Sequence, residues 1–583
     1  MNQQPSSLLP PPSSLRWWGW GTLDRSYDLD RRPNFWPFLR KRLGVSGEVT
    51  CPPVKLDALS LPEPRLSQRD LSDLRRIFGD DGVRVDRLSR ILHAYGKSYR
   101  DLIRIRRGEV AHPPDAVVDP GDEAQIGELF TWAKRNRASL IPFGGGSSVT
   151  GGVEPAEKPA DTPTITLDLA RLNRVLSIDR ASHTATAQCG ILGPHLEAAL
   201  NAEGFTLGHF PQSFEFSTLG GWIATRSAGQ TSAGYGKIED MIERVRAITP
   251  RGCIDVKPLP ASAAGPDVLQ MLIGSEGAFG VIVEATVRIR PLPSARDYRG
   301  VLFHSFEDGV EAIRELMQRG VEVAMARLSD GSETEMSIAL ARAPSTRGAR
   351  LGMYAGLWLV HGRGYDFDSS CLMVLGIEGE QARVKRTKKA ALGVCKRHGG
   401  MNVGRSVGRA WLRERFALPY LRDDLLDRGI MIDTVETATT WSNLLGVYHA
   451  LNDALEQAIA ATGAAPLVIT HVSHAYRDGA SLYSTFIGAQ RGDPIEQWWS
   501  IKRAATEAIL AHGGALSHHH GVGRDHATWL ACQHGALGIE ALRSMKATFD
   551  PDVLLNPGVL GLGLEVRDWR LEIGGWRLED FEV

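Results

Sequence analysis

The stretch Pro142-Phe143-Gly144-Gly145-Gly146-Ser147-Ser148-Val149-Thr150-Gly151-Gly152 decides the fold, because a short apolar strand ends directly in this glycine-rich loop. Glycines let successive backbone amides turn toward one point, and such a nest of amides binds phosphate. The loop lacks the Gly-Lys-Ser/Thr of a Walker loop and the spacing of a GxGxxG fingerprint. Taken alone, the stretch is also compatible with an ordinary glycine-rich turn.

Three later segments strengthen the cofactor interpretation, because each combines small residues with hydroxyls. They are PQSFEFSTLGG at 211–221, TRSAG at 225–229 and GSEGAFGVI at 274–282. The order and spacing of the four loops resemble the flavin domain of the vanillyl-alcohol oxidase/p-cresol methylhydroxylase (PCMH) superfamily, over about residues 113–291. The resemblance implies FAD with its pyrophosphate on Gly144–Ser148. The FAD is expected to be non-covalent, since Gly146 stands where some members carry a tethering histidine.

The FAD-binding residues that this resemblance implies are Pro142, Gly144, Gly145, Gly146, Ser147, Ser148, Pro211, Ser213, Ser217, Thr218, Gly221, Thr225, Arg226, Ser227, Glu276, Gly277, Gly280, Val281 and Ile282.

The sequence around these loops predicts an α+β protein rather than a regular βαβ array. We expect an N-terminal tail and helical region (1–108), a two-subdomain FAD-binding domain of PCMH type (109–292) and an α+β cap that binds substrate (293–517). A C-terminal segment (518–583) is expected to complete the active site and the FAD domain. The early tryptophans in Trp17-Trp18-Gly19-Trp20 are too apolar for a free tail, so we expect them to pack on the main body.

Composition excludes several classes of protein. The chain has 583 residues, 43% of them hydrophobic and 23% charged, which is enough apolar material for large cores. Lys and Arg total 67 and Asp and Glu 68, so the formal charge of −1 argues against nucleic-acid binding. The 6 cysteines form no CxxC pair, which argues against a zinc ribbon or a disulfide framework. No run of about 18 apolar residues and no signal-peptide pattern occurs, so a cytoplasmic location is expected.

A run of three histidines is the most distinctive polar feature, Ser517-His518-His519-His520-Gly521-Val522-Gly523. On an extended backbone, His518 and His520 share a face and His519 points the opposite way. Two more imidazoles, His471 and His474, lie upstream, so a metal site is one interpretation of the histidines.

Four motifs resemble the alkyldihydroxyacetone-phosphate synthase family: RWWGWG at 16–21, PQSFEFSTLGGW at 211–222, SHAYRDGASLY at 473–483 and SHHHGVG at 517–523. The resemblance spans about residues 15–558. It implies ether-lipid biosynthesis, in which the acyl group of acyl-dihydroxyacetone phosphate is exchanged for a long-chain fatty alcohol. In that family FAD works through a flavin N5 adduct, with no net redox change. A homodimer and peripheral contact with a membrane are further expectations from the family.

The resemblance also implies roles for individual residues. Tyr483 would move the substrate proton, Arg422 and Arg327 would bind substrate, and His518, His519 and His520 would add phosphate contacts and a proton relay. A tyrosine with its ordinary pKa of ~10 is a poor base, so we expect cationic neighbours that lower the pKa. Without the resemblance, Tyr483 fits strand packing and Arg422 fits a solvated ion pair.

Two other functions stay open. An FAD-linked 2-hydroxy-acid dehydrogenase or oxidase of the D-lactate/glycolate type would carry a metal, with HxGDGNxH on the strand and EHGxG in the later loop. Here His519 replaces the glutamate and the strand lacks the first pattern, so no metal is predicted. A non-catalytic flavin- or lipid-binding protein would bind FAD without turnover.

Overall fold

The N-terminal region is helical, as its spacing of apolar residues predicts. The computed structural model describes residues 11–157, 162–343, 361–365 and 369–563. The extension at 564–583 and the first ten residues of the predicted tail lie outside this range. The elements of the region are α1 Phe35–Leu43, α2 Gln68–Phe78, β1 Val83–Arg84, α3 Arg87–Leu92 and α4 Tyr99–Arg106. Capping boxes begin α2 and α4, where Ser67 pairs with Asp70 and Ser98 with Asp101.

The tryptophan-rich segment packs on the cap, which confirms the packing prediction. Trp17 and Trp20 are buried. The Asp423 carboxylate accepts hydrogen bonds from the Trp20 amide at 2.9 Å and from Arg16 Nη1 at 3.1 Å. A Cβ on Gly19 would overlap this carboxylate, so only glycine allows the approach. The segment therefore fixes the helix that carries Asp423.

The second region contains two subdomain sheets. One has the strand order β1-β2-β4-β3, with β2 and β3 parallel to β4, and the other has the order β5-β6-β10-β8-β9. Its elements are β2 Ala116–Val118, α5 Glu123–Asn136, β3 Ser139–Phe143, β4 Thr164–Asp168, β5 Val175–Asp179, β6 Thr184–Gln188, α6 Gly193–Ala202, β7 Phe205–Thr206, α7 Leu219–Ala224, α8 Ser232–Tyr235, α9 Ile238–Met241, β8 Ile242–Thr249, β9 Gly252–Asp255, α10 Val268–Leu272, β10 Val281–Arg288 and β11 Arg290–Pro291.

The glycine-rich loop leaves the end of β3, which is buried between its neighbours. Asp122 caps α5, and this helix connects β2 to β3 as a crossover. The C-terminal segment lies along the other side of β3. There, the Leu140 amide donates to the Leu554 carbonyl at 2.7 Å and the Asn556 amide donates to the Leu140 carbonyl at 2.8 Å. Residues far apart in sequence therefore meet beside the loop.

The cap is built on one antiparallel sheet in the order β15-β12-β14-β13-β17-β18-β16. Its elements, with the C-terminal helix, are β12 Ala295–Phe303, α11 Phe306–Gln318, β13 Met325–Ser329, α12 Gly331–Ala339, β14 Cys371–Gly379, α13 Gln381–Arg397, β15 Met401–Gly404, α14 Arg405–Glu414, α15 Leu418–Leu426, β16 Ile430–Thr440, α16 Leu444–Ala461, β17 Leu467–Ala475, β18 Gly479–Ala489, α17 Pro494–Ala511 and α18 Leu530–Phe549. Short 3-10 helices lie at Pro12–Ser14, Leu56–Ala58, Asp80–Gly82, Leu169–Arg171, Phe214–Phe216, Ala527–Trp529 and Val559–Gly561. None of the helices in the described ranges is long and apolar enough to cross a membrane.

The register of three cap strands sets the position of the site. Strand β18 pairs with β16 on one side and β17 on the other, so Tyr483 lies opposite both Glu436 and His471. A slip of one residue would turn Tyr483 to the other face of the sheet, and the apolar residues on that face oppose the slip.

Candidate active site

Tyr483 lies at the centre of the predicted catalytic residues. Its ring centroid is 5.1 Å from that of His471 and 5.9 Å from that of His519, and both pairs are stacked. The His520 ring meets Tyr483 edge-on at 5.6 Å. The side chain of Tyr483 is half-buried and hydrogen-bonds Thr434. The structure thus gathers residues from β17, β18 and the histidine run around one phenol.

The histidine run bends around a carboxylate that the sequence analysis missed. Glu436 on β16 accepts hydrogen bonds from the backbone amides of His518 at 2.7 Å, His519 at 3.2 Å and His520 at 3.0 Å, and from the Ser517 hydroxyl at 2.8 Å. Three consecutive amides directed at one carboxylate are incompatible with an extended backbone. The prediction that His519 points away from its neighbours is therefore wrong.

His518 and His519 both face His474. Their Nδ1 atoms lie 2.9 Å apart, and the His474 ring centroid is 5.1 Å from that of His518 and 5.3 Å from that of His519. The outer nitrogens have their own partners, because His518 Nε2 lies 2.6 Å from the Tyr476 hydroxyl and His474 Nδ1 lies 2.6 Å from the Ser232 hydroxyl.

These three imidazoles are also close enough to share a metal ion, since one ligand atom from each lies within 4.8 Å of the others. The sequence argument against a metal was the missing carboxylate at position 519. In the structure, Glu436 supplies a carboxylate 3.5 Å from His519 Nδ1. That argument is therefore incomplete, and the absence of a metal stays a prediction.

Charge in this cluster resides on Glu436, with the imidazoles neutral. Burial lowers the pKa of His520 to about 3 and that of His518 well below its ordinary value. The neighbouring imidazoles hold the pKa of Glu436 well below its ordinary value, against the effect of its burial. At neutral pH the run therefore presents uncharged rings, which are weaker proton acceptors than ordinary histidines, beside a negative charge that favours a proton on them.

Burial dominates the pKa of Tyr483. It raises the pKa to about 12, and the hydrogen bond from Thr434 and the charge of Arg422 lower it by less. Arg422 lowers this pKa as predicted, but the predicted net lowering is wrong, because burial outweighs Arg422 and the histidines around Tyr483 are neutral. A tyrosine in this state is a weaker proton donor than an ordinary tyrosine, and it can accept a proton only after passing its own to a neighbour.

Arg422 connects Tyr483 to the glycine-rich loop. Its Nη1 donates to the carbonyl of Lys97 at 2.7 Å, and the amide of Lys97 donates to the carbonyl of Ser148 at 2.6 Å. The buried Nε of Arg422 has no partner among the described residues. Burial lowers the pKa of Lys97 to about 8. Arg422 is therefore close enough to influence both Tyr483 and Lys97, and the sequence analysis found only Arg422 of these two cations.

Arg327 is already paired in the structure. Its Nη2 donates to Glu333 Oε1 at 2.6 Å and lies 3.1 Å from His471 Nδ1. The charge of Arg327 and the hydrogen bond with His471 hold the pKa of Glu333 far below its ordinary value, although burial opposes them. The contacts favour a role for Arg327 in orienting His471, which stacks on Tyr483. Its role in binding substrate stays a prediction.

The glycine-rich loop fits a phosphate group. The backbone amides from Gly144 to Ser148 form no hydrogen bond with any residue that the structure describes. A Cβ on Gly145 would overlap the carbonyl of Phe216, and a Cβ on Gly144 would overlap the hydroxyl of Thr218. The first two predicted FAD loops therefore pack against each other, and free amides remain for an anion.

The fourth predicted loop, at 274–282, packs against the glycine-rich loop. A Cβ on Gly277 would lie 3.1 Å from the ring of Pro142, so these two predicted residues are neighbours. Asn556 Nδ2 donates to the carbonyls of Gly152 and Glu276, both at 2.8 Å. The C-terminal segment thus closes the space in which FAD would be held.

Several predicted FAD residues have partners within the protein, and their contact with FAD stays a prediction. The Ser217 hydroxyl accepts a hydrogen bond from Trp222 Nε1 at 2.7 Å, and the Ser227 hydroxyl lies 3.2 Å from His209 Nε2. Val281 and Ile282 are buried in the core. The partly exposed Arg226 side chain donates to Gln270. Pro211, Ser213, Gly221, Thr225 and Gly280 form parts of the same loops and strand ends, and their contact with FAD stays a prediction.

The Glu276 carboxylate makes hydrogen bonds within the chain. It accepts hydrogen bonds from the amides of Val522 at 2.7 Å and Gly523 at 2.9 Å, and burial raises its pKa to about 7. The raised pKa means that the folded state disfavours ionisation of Glu276. The parent protein therefore becomes less stable as the pH rises from the ordinary pKa of a glutamate to about 7. We expect the free energy of unfolding of Glu276→Gln to rise relative to that of the parent by about 3 kcal/mol as the pH increases from ~5 to ~8.

Denaturant unfolding curves at several pH values would measure this gain. Glu128→Gln on the exposed surface of α5 is the control and should follow the parent at every pH. A constant difference between Glu276→Gln and the parent across the pH range would contradict the expectation.

Two comparisons define the class of protein. A family model for an FAD binding domain matches residues 114–256, and one for the C-terminal domain of FAD linked oxidases matches residues 292–560. A structure of p-cresol methylhydroxylase with substrate bound has a TM-score of 0.61 with this chain at 13% identity, covering 86% of this chain and 99% of its own. The protein is therefore an FAD-dependent flavoenzyme with the PCMH fold, which confirms the predicted fold class and cofactor.

More similar proteins give the family. An alkyldihydroxyacetonephosphate synthase from Trypanosoma brucei brucei is 34% identical over 565 residues, which are 94% of this chain and 92% of the relative. A solved alkyldihydroxyacetonephosphate synthase structure has a TM-score of 0.82 at 31% identity and covers 94% of this chain and 99% of its own. The chain belongs to the alkyldihydroxyacetonephosphate synthase family, as its four motifs predict.

Proposed function

We propose that this protein exchanges the acyl group of acyl-dihydroxyacetone phosphate for a long-chain fatty alcohol and so makes an ether lipid precursor. One observation carries the proposal. Tyr483 lies among neutral histidines, and Arg422 connects this cluster to the glycine-rich loop through Lys97. An acid/base group, a phosphate-binding cation and a flavin loop are the parts that this transfer requires.

Arg422 is the proposed ligand of the substrate phosphate. Nη1 is already bound to the protein, and Nε remains free to donate to an oxyanion. A guanidinium fork suits a phosphate dianion better than a single ammonium does. Lys97 adds a second positive charge on the same side. Phosphate binding here brings the neighbouring substrate carbon toward Tyr483.

Tyr483 and the histidines then move the proton of that carbon. The phenol of Tyr483 passes its own proton to a neutral imidazole, His519 or His520, and accepts the proton from the substrate carbon. The bond between that carbon and the acyl oxygen breaks and the fatty acid leaves as its carboxylate. The alcohol oxygen then forms the new bond and loses its proton to solvent, and Tyr483 returns a proton to the carbon. Gly144–Ser148 would hold FAD, whose electron-poor ring would supply a reversible acceptor for an electron pair, so the exchange would need no external oxidant.

The test uses FAD-loaded protein under anaerobic conditions, without an electron acceptor. Palmitoyl-dihydroxyacetone phosphate and radiolabelled hexadecanol are added in detergent micelles, and labelled ether lipid and released palmitate are measured. Equal amounts of both products support the exchange. Bleaching of the flavin by a 2-hydroxy acid, with no ether product, would overturn the proposal in favour of the dehydrogenase.

Membrane contact and a homodimer stay predictions from the family. Trp17 and Trp20 are buried against the cap, so they are not available for a membrane surface.

A further inference from the structure

Glu436 contacts more of the histidine run than any single group that the sequence identified. Its Oε1 accepts hydrogen bonds from Ser517, His519 and His520, and its Oε2 accepts one from His518. The same carboxylate lies 3.5 Å from His519 Nδ1 and 3.8 Å from His520 Nδ1. It also lies directly across the strand pair from Tyr483.

The position of this carboxylate has two consequences. Its hydrogen bonds set the path of the backbone, so the rings of His519 and His520 stay against Tyr483. Its negative charge also stabilises a proton on either ring, as a carboxylate behind a catalytic imidazole does. A buried carboxylate with several amide donors holds its position with little freedom to rearrange.

We propose that Glu436 is the positioning residue of the proton transfer, because it fixes the His518–His520 run and stabilises the imidazolium that forms when Tyr483 gives up its proton. This inference rests on the proposed function. Glu436 itself does not touch the reacting atoms, and it acts through His519 and His520. The imidazole that accepts the proton of Tyr483 returns it after the alcohol has entered, and the proton that the alcohol loses on forming the ether bond leaves to solvent with the released fatty acid carboxylate.

Other charged groups near the cluster also influence these imidazoles. The titratable and charged groups that face the run or Tyr483 are His471, His474, Tyr476, Lys237, Lys502, His526, Arg422 and Asp433. Of these, Lys237 and Lys502 lower the pKa of the imidazoles, whereas Glu436 raises that of His519 and His520. Glu436 is therefore the group whose removal should make those two rings harder to protonate.

Glu436→Gln tests the proposal, because it keeps the shape and removes the charge. The amide oxygen can keep the place of Oε1, but its NH₂ then faces the amide of His518, donor against donor. We expect kcat for ether formation to fall by about 10²-fold, with KM for the acyl substrate within about threefold of the parent. The acid limb of the kcat profile should move to lower pH by about one unit, since the rings lose a negative neighbour. Glu436→Asp, which keeps the charge, should recover part of kcat and the position of the limb.

A readout without substrate separates this inference from the proposed function. Hydrogen exchange of the peptide that covers 517–523, measured on FAD-loaded protein, should accelerate at least tenfold in Glu436→Gln. Glu197→Gln is the matched control, because Glu197 is a buried carboxylate that accepts backbone amides at 2.9 Å from Leu207 and Gly208. This control should keep kcat and the acid limb.

Two results would overturn the proposal: unchanged kcat, pH profile and exchange in Glu436→Gln, or equal loss of kcat in the Gln and Asp variants without any shift of the acid limb. Absence of ether product from the parent enzyme, with the exchange result as expected, would reject the function and retain the contact between Glu436 and the run.

Discussion

Tyr483→Phe is expected to lower kcat for ether formation by about 10³-fold, the usual loss when a general acid/base is removed. Phenylalanine keeps the ring that stacks on His471 and His519, so the site should stay assembled. The lost hydroxyl is the only atom of the side chain that can exchange a proton with the substrate carbon. The measurement is the initial rate of labelled ether product at saturating substrate, with bound FAD determined from the visible spectrum.

A second tyrosine in the cap gives a matched control. Tyr448 is half-buried and its hydroxyl lies 3.4 Å from Asp330, away from the flavin loop, so Tyr448→Phe should keep the parent kcat. Exchange of solvent deuterium into the substrate carbon separates two explanations for a slow Tyr483→Phe enzyme. If Tyr483→Phe loses both the deuterium exchange and the formation of ether product, the defect lies in proton transfer. Retention of kcat within about fivefold would exclude Tyr483 as the acid/base group.

Local patterns in the sequence predicted the flavin side of the molecule well. Strands β2, β3 and β4 are short apolar runs that end in turn residues, and α5 begins at an aspartate cap. Such signals depend on neighbours in sequence, so they do not need the tertiary structure. The glycines of the loop are required for a similar local reason, because Gly145 has no space for a side chain.

The site was predicted less completely, because its geometry depends on strand register and burial. Glu436 lies 47 residues before Tyr483 in the sequence, yet the two are opposite each other in the sheet. A buried acid in a strand of β-branched residues was the available signal, since such a charge is costly without partners. The pKa of Tyr483 was predicted in the wrong direction because the sequence does not show how deeply the phenol and the histidines are buried.

Arg422 depends on three separate parts of the chain. The N-terminal segment contacts its helix through Asp423, the α3–α4 connection binds its guanidinium through Lys97, and the flavin loop binds Lys97 in turn. None of these contacts involves a residue close to Arg422 in sequence, apart from Asp423. Under the proposed function, phosphate binding at Arg422 would therefore be coupled to the position of the glycine-rich loop.

Arg422→Met is expected to lower kcat/KM for the acyl substrate by about 10³-fold, since truncating one partner of a buried charged pair costs several kcal/mol. Methionine fills a similar volume and removes the charge. Arg422→Lys keeps the charge but loses the fork and the hydrogen bond to Lys97, so we expect an intermediate loss, mainly in KM. Inorganic phosphate should inhibit the parent enzyme competitively, and both variants should lose this inhibition.

The control for Arg422 is Arg428→Met, because Arg428 is half-buried just after the same helix and binds the carbonyls of Gly47 and Asp424. It should retain kcat/KM, while its stability falls. If Arg422→Met lowers kcat but keeps the KM and the phosphate inhibition of the parent, the guanidinium acts on Tyr483 and does not bind the phosphate. A higher KM together with loss of inhibition by phosphate, and deuterium exchange that is slow only at low substrate concentration, would establish that phosphate binding at Arg422 precedes proton transfer at Tyr483.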